Sequence, residues 1–203
     1  MIDAIDWLPT RELGVIERVD DESIATEFAT AVLPLWPRAS HYRTRARDGT
    51  PRVIPLAPLH RTSVVAGYLR RPVWLAAIVL GAPSLADPPR WGELFAVALP
   101  LAALAAILTF VIGRLPDAER ARRRLLRRVV GVGAPPELLS ATFAAQVRAA
   151  LDDAWRDVSP RPWQQAITDG VANELLVALA DYHGRHALAE RARGNLEARR
   201  PPS

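Results

Sequence analysis

The side chains with the most obvious capacity for chemistry lie close together near the end of the chain. His183 and His186 are three residues apart, and Glu190 follows His186 by one helical turn, so His186 and Glu190 would share one helix face. No second Glu-x-x-His motif accompanies them, as a di-iron site requires, and Gly184 weakens the helix. We therefore predict no metal site and favour solvated side chains near a helix end.

Other catalytic or cofactor-binding patterns are missing from the sequence. The absence of cysteine excludes disulfides, thiolate catalysis and cysteine-ligated metals. Gly131-Val132-Gly133 follows a predicted helix, lacks the third glycine of a dinucleotide-binding loop and runs into two prolines, so we interpret it as a linker. No P-loop or Ser/His/Asp arrangement is recognisable. We predict that the protein is not an enzyme, uses no cofactor and takes no small-molecule substrate.

The elements that position these residues are indicated by the charge distribution. All 26 basic residues are arginine, which with abundant alanine is typical of a high-GC bacterial genome. Residues 31–71 carry a net charge of +7 and residues 114–128 one of +5, whereas residues 1–30 carry −6 and residues 72–113 only −1. The two basic blocks therefore flank the least charged stretch, a pattern that indicates membrane topology.

Two apolar runs occupy that stretch. Residues 94–113 contain no charge, and 20 residues at about 1.5 Å each cover the ~30 Å hydrocarbon core of a bilayer. Residues 72–86 form a shorter run, which Tyr68 and Trp74 would anchor at one interface, with Trp91 at the other. The alternatives are a buried core helix for the longer run and a re-entrant or interfacial segment for the shorter one.

The connector between the runs predicts a tight hairpin, because residues 83–93 contain adjacent prolines and a glycine. Arginine is concentrated outside the two runs and occurs only at Arg90 in the connector, so the positive-inside rule places both termini in the cytoplasm of a bacterium, with the hairpin in its inner membrane. Small residues recur at positions where the helices would pack, although general alanine richness also explains them. These helix-packing candidates are Ala77, Gly81, Ala98, Ala102 and Ala106.

The N-terminal segment, residues 1–66, is predicted to contain a short helix and a β-hairpin. An apolar stripe that includes Ile24 and Phe28 suggests a helix that ends at Pro34. Residues 41–47 and 52–56 flank Asp48-Gly49 and suggest two edge strands joined by a turn.

Arginines near the predicted membrane entries are candidates for binding anionic lipid headgroups or an acidic protein partner. Nucleic acid is disfavoured as a partner, because Tyr42 is the only aromatic residue among the arginines of the predicted β-hairpin. The lipid- or partner-binding candidates are Arg43, Arg45, Arg47, Arg70, Arg71, Arg122, Arg123, Arg124, Arg127 and Arg128.

The C-terminal region, residues 114–203, is predicted to form a basic helix over residues 117–130 and then a helical hairpin. One helix of the hairpin covers residues 137–158, and the other starts at Pro162. Two helices alone bury little apolar surface, so their stripes are candidates for partner contact. These partner-face residues are Phe143, Val147, Leu151, Ile167, Val171 and Leu175.

The sequence thus predicts a mostly α protein with a two-span transmembrane hairpin in residues 67–113, a small irregular or β-containing N-terminal segment and a cytoplasmic C-terminal helical hairpin. Few polar groups lie within the apolar runs, which argues against a transporter. We predict an accessory, anchoring or scaffold subunit of a larger membrane complex, bound to lipids and other membrane-protein subunits. The alternatives are a membrane-bound effector or regulator that self-associates through the hairpin, and a membrane-tethered enzyme or metal-binding protein.

Overall fold

A computed structural model describes residues 9–30, 34–46, 48–57 and 59–199. The chain is mostly helical, with a small antiparallel sheet of four strands near its N-terminus.

The chain divides into two compact units, which are described separately. The first unit comprises Met1–Arg45 and Pro51–Leu115. The second comprises Ala46–Thr50 and Pro116–Ser203.

The sheet of the first unit is an antiparallel meander, in which each strand pairs with the next along the chain. Its strands are β1 (Thr10–Val19), β2 (Glu22–Thr30), β3 (Pro34–Arg45) and β4 (Pro51–Pro55). The predicted β-hairpin is confirmed as β3 and β4. Strand β4 lies at the edge of the sheet, where a proline can be accommodated although it has no N–H group to donate.

The predicted short helix around Ile24 and Phe28 is wrong, because these residues belong to β2. Both side chains are fully buried, and a spacing of four residues fits one strand face as well as one helix face. Thr26 lies between them and is also fully buried. Because a threonine interrupts the apolar pattern on the buried face, the alternation typical of a strand was hidden in the sequence.

Thr26 is tolerated in the core because its hydroxyl is hydrogen-bonded on two sides. It lies 2.8 Å from the Ser40 hydroxyl of β3 and donates to the Ser63 hydroxyl of the first helix, also at 2.8 Å. The Ser63 hydroxyl in turn donates to the Gly14 carbonyl oxygen at 2.7 Å. This chain of hydroxyls satisfies the buried polar groups and joins three strands to the helix.

Strand β1 is irregular at the place where the helices meet it. Its register with β2 shifts on either side of Ile16, and both Gly14 and Glu17 have positive φ angles, a conformation that occurs in β-bulges of the G1 type. At Gly14 a side chain is impossible, because an added Cβ would lie 1.9 Å from the Ser63 carbonyl oxygen. We call residues 14–17 the docking segment of β1.

Two long helices follow the sheet and pack against each other. They are α1 (Arg61–Ala86) and α3 (Phe95–Phe110), joined by the short helix α2 (Pro88–Trp91) and a 3₁₀ turn (Gly92–Leu94). We call α1, α2 and α3 together the hairpin, and the end at which α1 begins and α3 ends its base.

The helix α1 begins 11 residues before residue 72, so the helix is longer than the uncharged run that was predicted as the first span. Pro72 lies inside α1 without ending it. The sheet packs against the first turns of α1, and this contact supplies the stabilisation that extends the helix through residues with little apolar periodicity.

The second unit consists of helices and short turns. Helix α4 (Asp117–Val130) has the predicted bounds and ends at Gly131, whose φ of 83° is the left-handed conformation of a helix C-cap. It is followed by a 3₁₀ turn and by the helices α5 (Ala141–Val158), α6 (Trp163–Thr168), α7 (Glu174–Tyr182) and α8 (His186–Ala198).

The prediction of a two-helix hairpin at the C-terminus is wrong, because the segment after Pro162 forms three helices. Gly170 and Gly184 both adopt positive φ angles, 82° and 65°, which interrupt the helical path. The middle helix α7 is buried from Leu176 to Tyr182 and contacts α4, α5, α6 and α8. The other helices thus supply the burial that a pair of helices would lack.

Two helical glycines give a matched test of the contact between sheet and hairpin. An added Cβ at Gly67 would lie 2.5 Å from the Phe28 ring, whereas an added Cβ at Gly194 in α8 would meet nothing within 4 Å. We expect Gly67→Ala to lower the melting temperature of the detergent-solubilised protein, because the added methyl group clashes with the Phe28 ring. Gly194→Ala should raise the melting temperature, because alanine favours the helix over glycine by up to about 1 kcal/mol. Circular dichroism during heating measures both, and an increase for Gly67→Ala would contradict the close contact.

Candidate functional site

The helices of the hairpin run antiparallel and meet through small residues. An added Cβ at Gly81 would lie 3.6 Å from the Ala98 Cβ, so these two predicted packing residues are brought together, and both Ala98 and Ala77 are buried. Ala102 and Ala106 are half-buried. Backbones can approach closely across such a seam, the type of contact that packs helices in lipid.

The outer surface of the hairpin is apolar in most directions. Helix α1 is long and apolar enough to cross a membrane, and so is the helical segment formed by α2 and α3 together; the most apolar 18 residues of each have mean hydropathies of 1.4 and 2.1. The core helix of a soluble protein can have the same length and composition. Only 17% of each of these stretches is buried, however, and most large apolar side chains exposed in the described part of the chain lie on this hairpin.

Arg70 closes the base of the hairpin. Its Nε donates to the Leu108 carbonyl oxygen at 2.7 Å, one Nη donates to that of Ile112 at 3.0 Å, and the other donates to that of Val15 at 2.7 Å. Carbonyls at a helix C-terminus lack intrahelical donors. The planar guanidinium serves the Leu108 carbonyl in the last turn of α3 and the Ile112 carbonyl just beyond it, and it also binds the docking segment. The neighbouring Arg71 is exposed.

The docking segment also receives the chain that leaves α3. The Glu17 amide donates to the Gly113 carbonyl oxygen at 2.7 Å, and an added Cβ at Gly113 would lie 2.5 Å from the Ile16 side chain. The Glu17 carboxylate lies 3.4 Å from His60, the residue before α1. The beginning of α1 and the end of α3 are therefore attached to the same four residues of β1.

The candidate arginines of β3 lie near the C-terminal end of that strand. Arg43 pairs in register with Ser23 and Val53 and donates to the Glu12 carboxylate at 2.6 Å. Arg45 is exposed, and Arg47 lies outside the described residues. Nearby on β2, hydrogen bonding from the Thr10 hydroxyl and from His41 lowers the pKa of the Glu27 carboxyl, although burial opposes the shift.

Buried Glu22 is a residue that the sequence analysis missed. It is 1% exposed and accepts hydrogen bonds from the Tyr42 hydroxyl at 2.9 Å and the Thr44 hydroxyl at 2.6 Å. In the sequence, Glu22 is an acidic residue at the start of a strand, and Tyr42 and Thr44 are hydroxyl residues at alternate positions of another strand. Their relation can be recognised only once the pairing of the two strands is known.

The arginines of α4 form ion pairs within the second unit. Arg122 donates to the Asp181 carboxylate at 3.0 Å and lies 3.3 Å from Glu137. Burial alone lowers the pKa of Arg122, but the charges of Asp181, Glu137 and Glu119 outweigh it and raise that pKa above its ordinary value.

The other candidate arginines of α4 differ in exposure. Arg123 is buried beside Glu119, and Arg128 binds Glu174 at 2.6 Å, which raises the pKa of its guanidinium. Arg124 is exposed, and Arg127 is half-buried.

Asp181 joins three helices of the second unit. Its carboxylate is 1% exposed and accepts from Arg122 of α4 and, at 3.2 Å, from Arg193 of α8. A cleft of about 330 Å³ lies beside it, lined in part by His186 and Glu190. Glu190 itself binds Arg193 at 2.5 Å, so the acids of this cleft are engaged in ion pairs.

His183, the other histidine of the predicted constellation, is directed elsewhere. Its Nε2 lies 3.0 and 3.1 Å from the two carboxylate oxygens of Asp152, and its ring packs 5.1 Å from that of Trp163. Across the residues that the structure describes, no group of three or more His, Asp or Glu side chains is placed to hold a metal ion.

The predicted partner-face residues divide by burial. Leu151 and Ile167 are buried in the core of the second unit. Phe143, Val147 and Leu175 are half-buried, and Val171 is exposed.

Comparison of the chain with protein-family models, with curated proteins and with solved structures finds no match.

Arg70 and Arg71 provide a matched pair for testing the base of the hairpin. We expect Arg70→Gln to lower the free energy of unfolding in mild detergent by about 2 kcal/mol or more, since hydrogen bonds from a charged donor to three carbonyls are lost. Arg71→Gln should leave it unchanged, because that side chain is exposed. Chemical denaturation measures the difference, and equal stability of the two variants would show that Arg70 does not hold the base together.

Proposed function

We propose that the protein is an integral membrane protein of the bacterial inner membrane, whose hairpin crosses the bilayer twice and anchors the sheet and the second unit on the cytoplasmic side, and that it acts as an accessory, anchoring or scaffold subunit. The observation that carries the proposal is the exposure of the apolar hairpin: only 17% of the apolar stretch of each candidate span is buried within the protein. A core helix of a soluble protein is mostly buried, whereas a lipid-facing pair buries only its mutual seam.

The backbone of the hairpin also suits a hydrocarbon environment. Lipid offers no hydrogen-bond partners, so carbonyls near the ends of a span must be satisfied by protein or by headgroups. At the base, Arg70 satisfies the carbonyls of Leu108 and Ile112. Within residues 72–86 and 95–110, the only side-chain hydroxyls are those of Ser84 and Thr109, and each donates to a carbonyl one helical turn earlier.

The orientation follows from the arginine distribution. Arginines adjoin the base on both sides, while the connector has only Arg90, so the base faces the cytoplasm under the positive-inside rule. No ionisable residue lies within residues 72–86 or 95–110, which favours an anchoring role over transport.

The arginines divide between two roles in this arrangement. Arg70 and Arg71 lie at the base, where anionic headgroups would meet them. Arg43 and Arg45 are exposed near the C-terminal end of β3, where they are candidates for a soluble acidic partner. Lipid binding by the exposed arginines of α4, Arg124 and Arg128, stays a prediction.

The absence of cysteine allows the topology to be tested with single introduced thiols. Glu93 in the connector and Asp153 on α5 are both exposed. We expect a membrane-impermeant maleimide to label Glu93→Cys in intact spheroplasts, and to label Asp153→Cys only after lysis, because the two sites lie on opposite sides of the membrane. If Glu93→Cys were labelled only after lysis, the hairpin would not reach the far side.

The scaffold role predicts a stable partner that co-purifies in mild detergent. Phe143 on α5 is half-buried, whereas Ala145 on the same helix is exposed and lies outside the predicted stripe. We expect Phe143→Asp to abolish recovery of the partner and Ala145→Asp to preserve it, with membrane insertion intact in both, since an acidic group is costly within an apolar contact. Mass spectrometry of the purified material measures recovery, and a wild-type chain that purifies alone would overturn the role.

A further inference from the structure

Two large apolar side chains are exposed at the beginning of β3. Leu35 and Trp36 are 41% and 37% exposed, whereas the other exposed residues of β3, Arg43 and Arg45, are charged. The Tyr68 hydroxyl of α1 donates to the Leu35 carbonyl oxygen at 2.8 Å, which fixes this end of β3 beside the helix.

The sheet points this end toward the apolar part of the hairpin. Ser63 contacts Thr26, the ring of Phe28 lies against Gly67, and Tyr68 reaches Leu35. The contacts of α1 with β2 and β3 therefore approach the β3 start as α1 advances from Ser63 to Tyr68. Arg43, which pairs with Val53, lies near the opposite end of β3.

The length of α1 sets the level of this end relative to a bilayer. From Tyr68 to Asp87, where α1 has ended, the rise is about 28 Å at 1.5 Å per residue, close to the ~30 Å hydrocarbon thickness. With the connector at the far interface, Tyr68 is therefore at the near interface, and the start of β3 is at the same level.

We infer that Leu35 and Trp36 insert into the boundary between headgroups and acyl chains and seat the sheet directly on the bilayer. The inference rests on the proposed membrane insertion of the hairpin. Lipid is the favoured occupant because Tyr68, which binds the start of β3, is followed along α1 by exposed Leu69 and by exposed Arg71, an apolar group for the acyl chains and a cation for anionic headgroups. Tryptophan and tyrosine are also enriched at this depth.

Depth-dependent quenching of single labelled thiols tests the inference. Trp36→Cys and Leu35→Cys are each labelled with an environment-sensitive fluorophore in the full-length chain, which is reconstituted in phosphatidylethanolamine and phosphatidylglycerol vesicles. Brominated lipids then quench the label according to depth. Val53→Cys, at an exposed apolar position of the same sheet, is the matched control, and Ile78→Cys, exposed on α1, reports insertion of the hairpin.

We expect bromines near the headgroup to quench the labels at positions 35 and 36, bromines deep in the chains to quench the label at position 78, and neither to quench the label at position 53. Quenching at position 78 without quenching at 35 and 36 would overturn the inference alone and would assign the patch to a protein partner. No quenching at position 78 would overturn the proposed membrane insertion itself.

Discussion

The need to satisfy backbone carbonyls at the end of an apolar helix pair governs the architecture of the first unit. At the base of the hairpin this need is met by Arg70, whose three donors bind two carbonyls near the end of α3 and one on β1. The irregular strand, its bulges and the close glycine contacts follow from the same requirement, because the β1 backbone must approach both helices. A lysine has one point of attachment and could not reproduce this geometry.

In the second unit, the charged side chain that joins separate elements is an acid instead of an arginine. Asp181 is buried on the central helix α7, and its cost of desolvation is offset by Arg122 of α4 and Arg193 of α8. The arginine-rich helix α4 thus contributes to internal structure as well as to the net charge. Both units use a charged side chain to join elements that are distant in sequence, which is consistent with their small apolar cores.

The parts of the fold that the sequence predicted are those specified by local patterns. The uncharged runs, the β3–β4 hairpin and the helix α4 carry their signals within a few residues. Strand β2 was missed because Thr26 is buried through hydroxyls on distant elements, and the extra C-terminal helices were missed because Gly170 and Gly184 end helices only in their folded conformation. The partners of Arg70 could not be predicted either, since carbonyl acceptors leave no trace in residue identity.

The docking segment of β1 has a consequence for the order of folding. Residues 14–17 precede all their partners in the chain, with Ser63 and Arg70 at separations of 49 and 55 residues and Gly113 farther on, so the full set of contacts forms only after Gly113 has been synthesised. The strands can pair with one another beforehand, because their turns are short. Assembly of the first unit is therefore completed at β1, because its docking segment is fixed only when the second apolar helix has also been made.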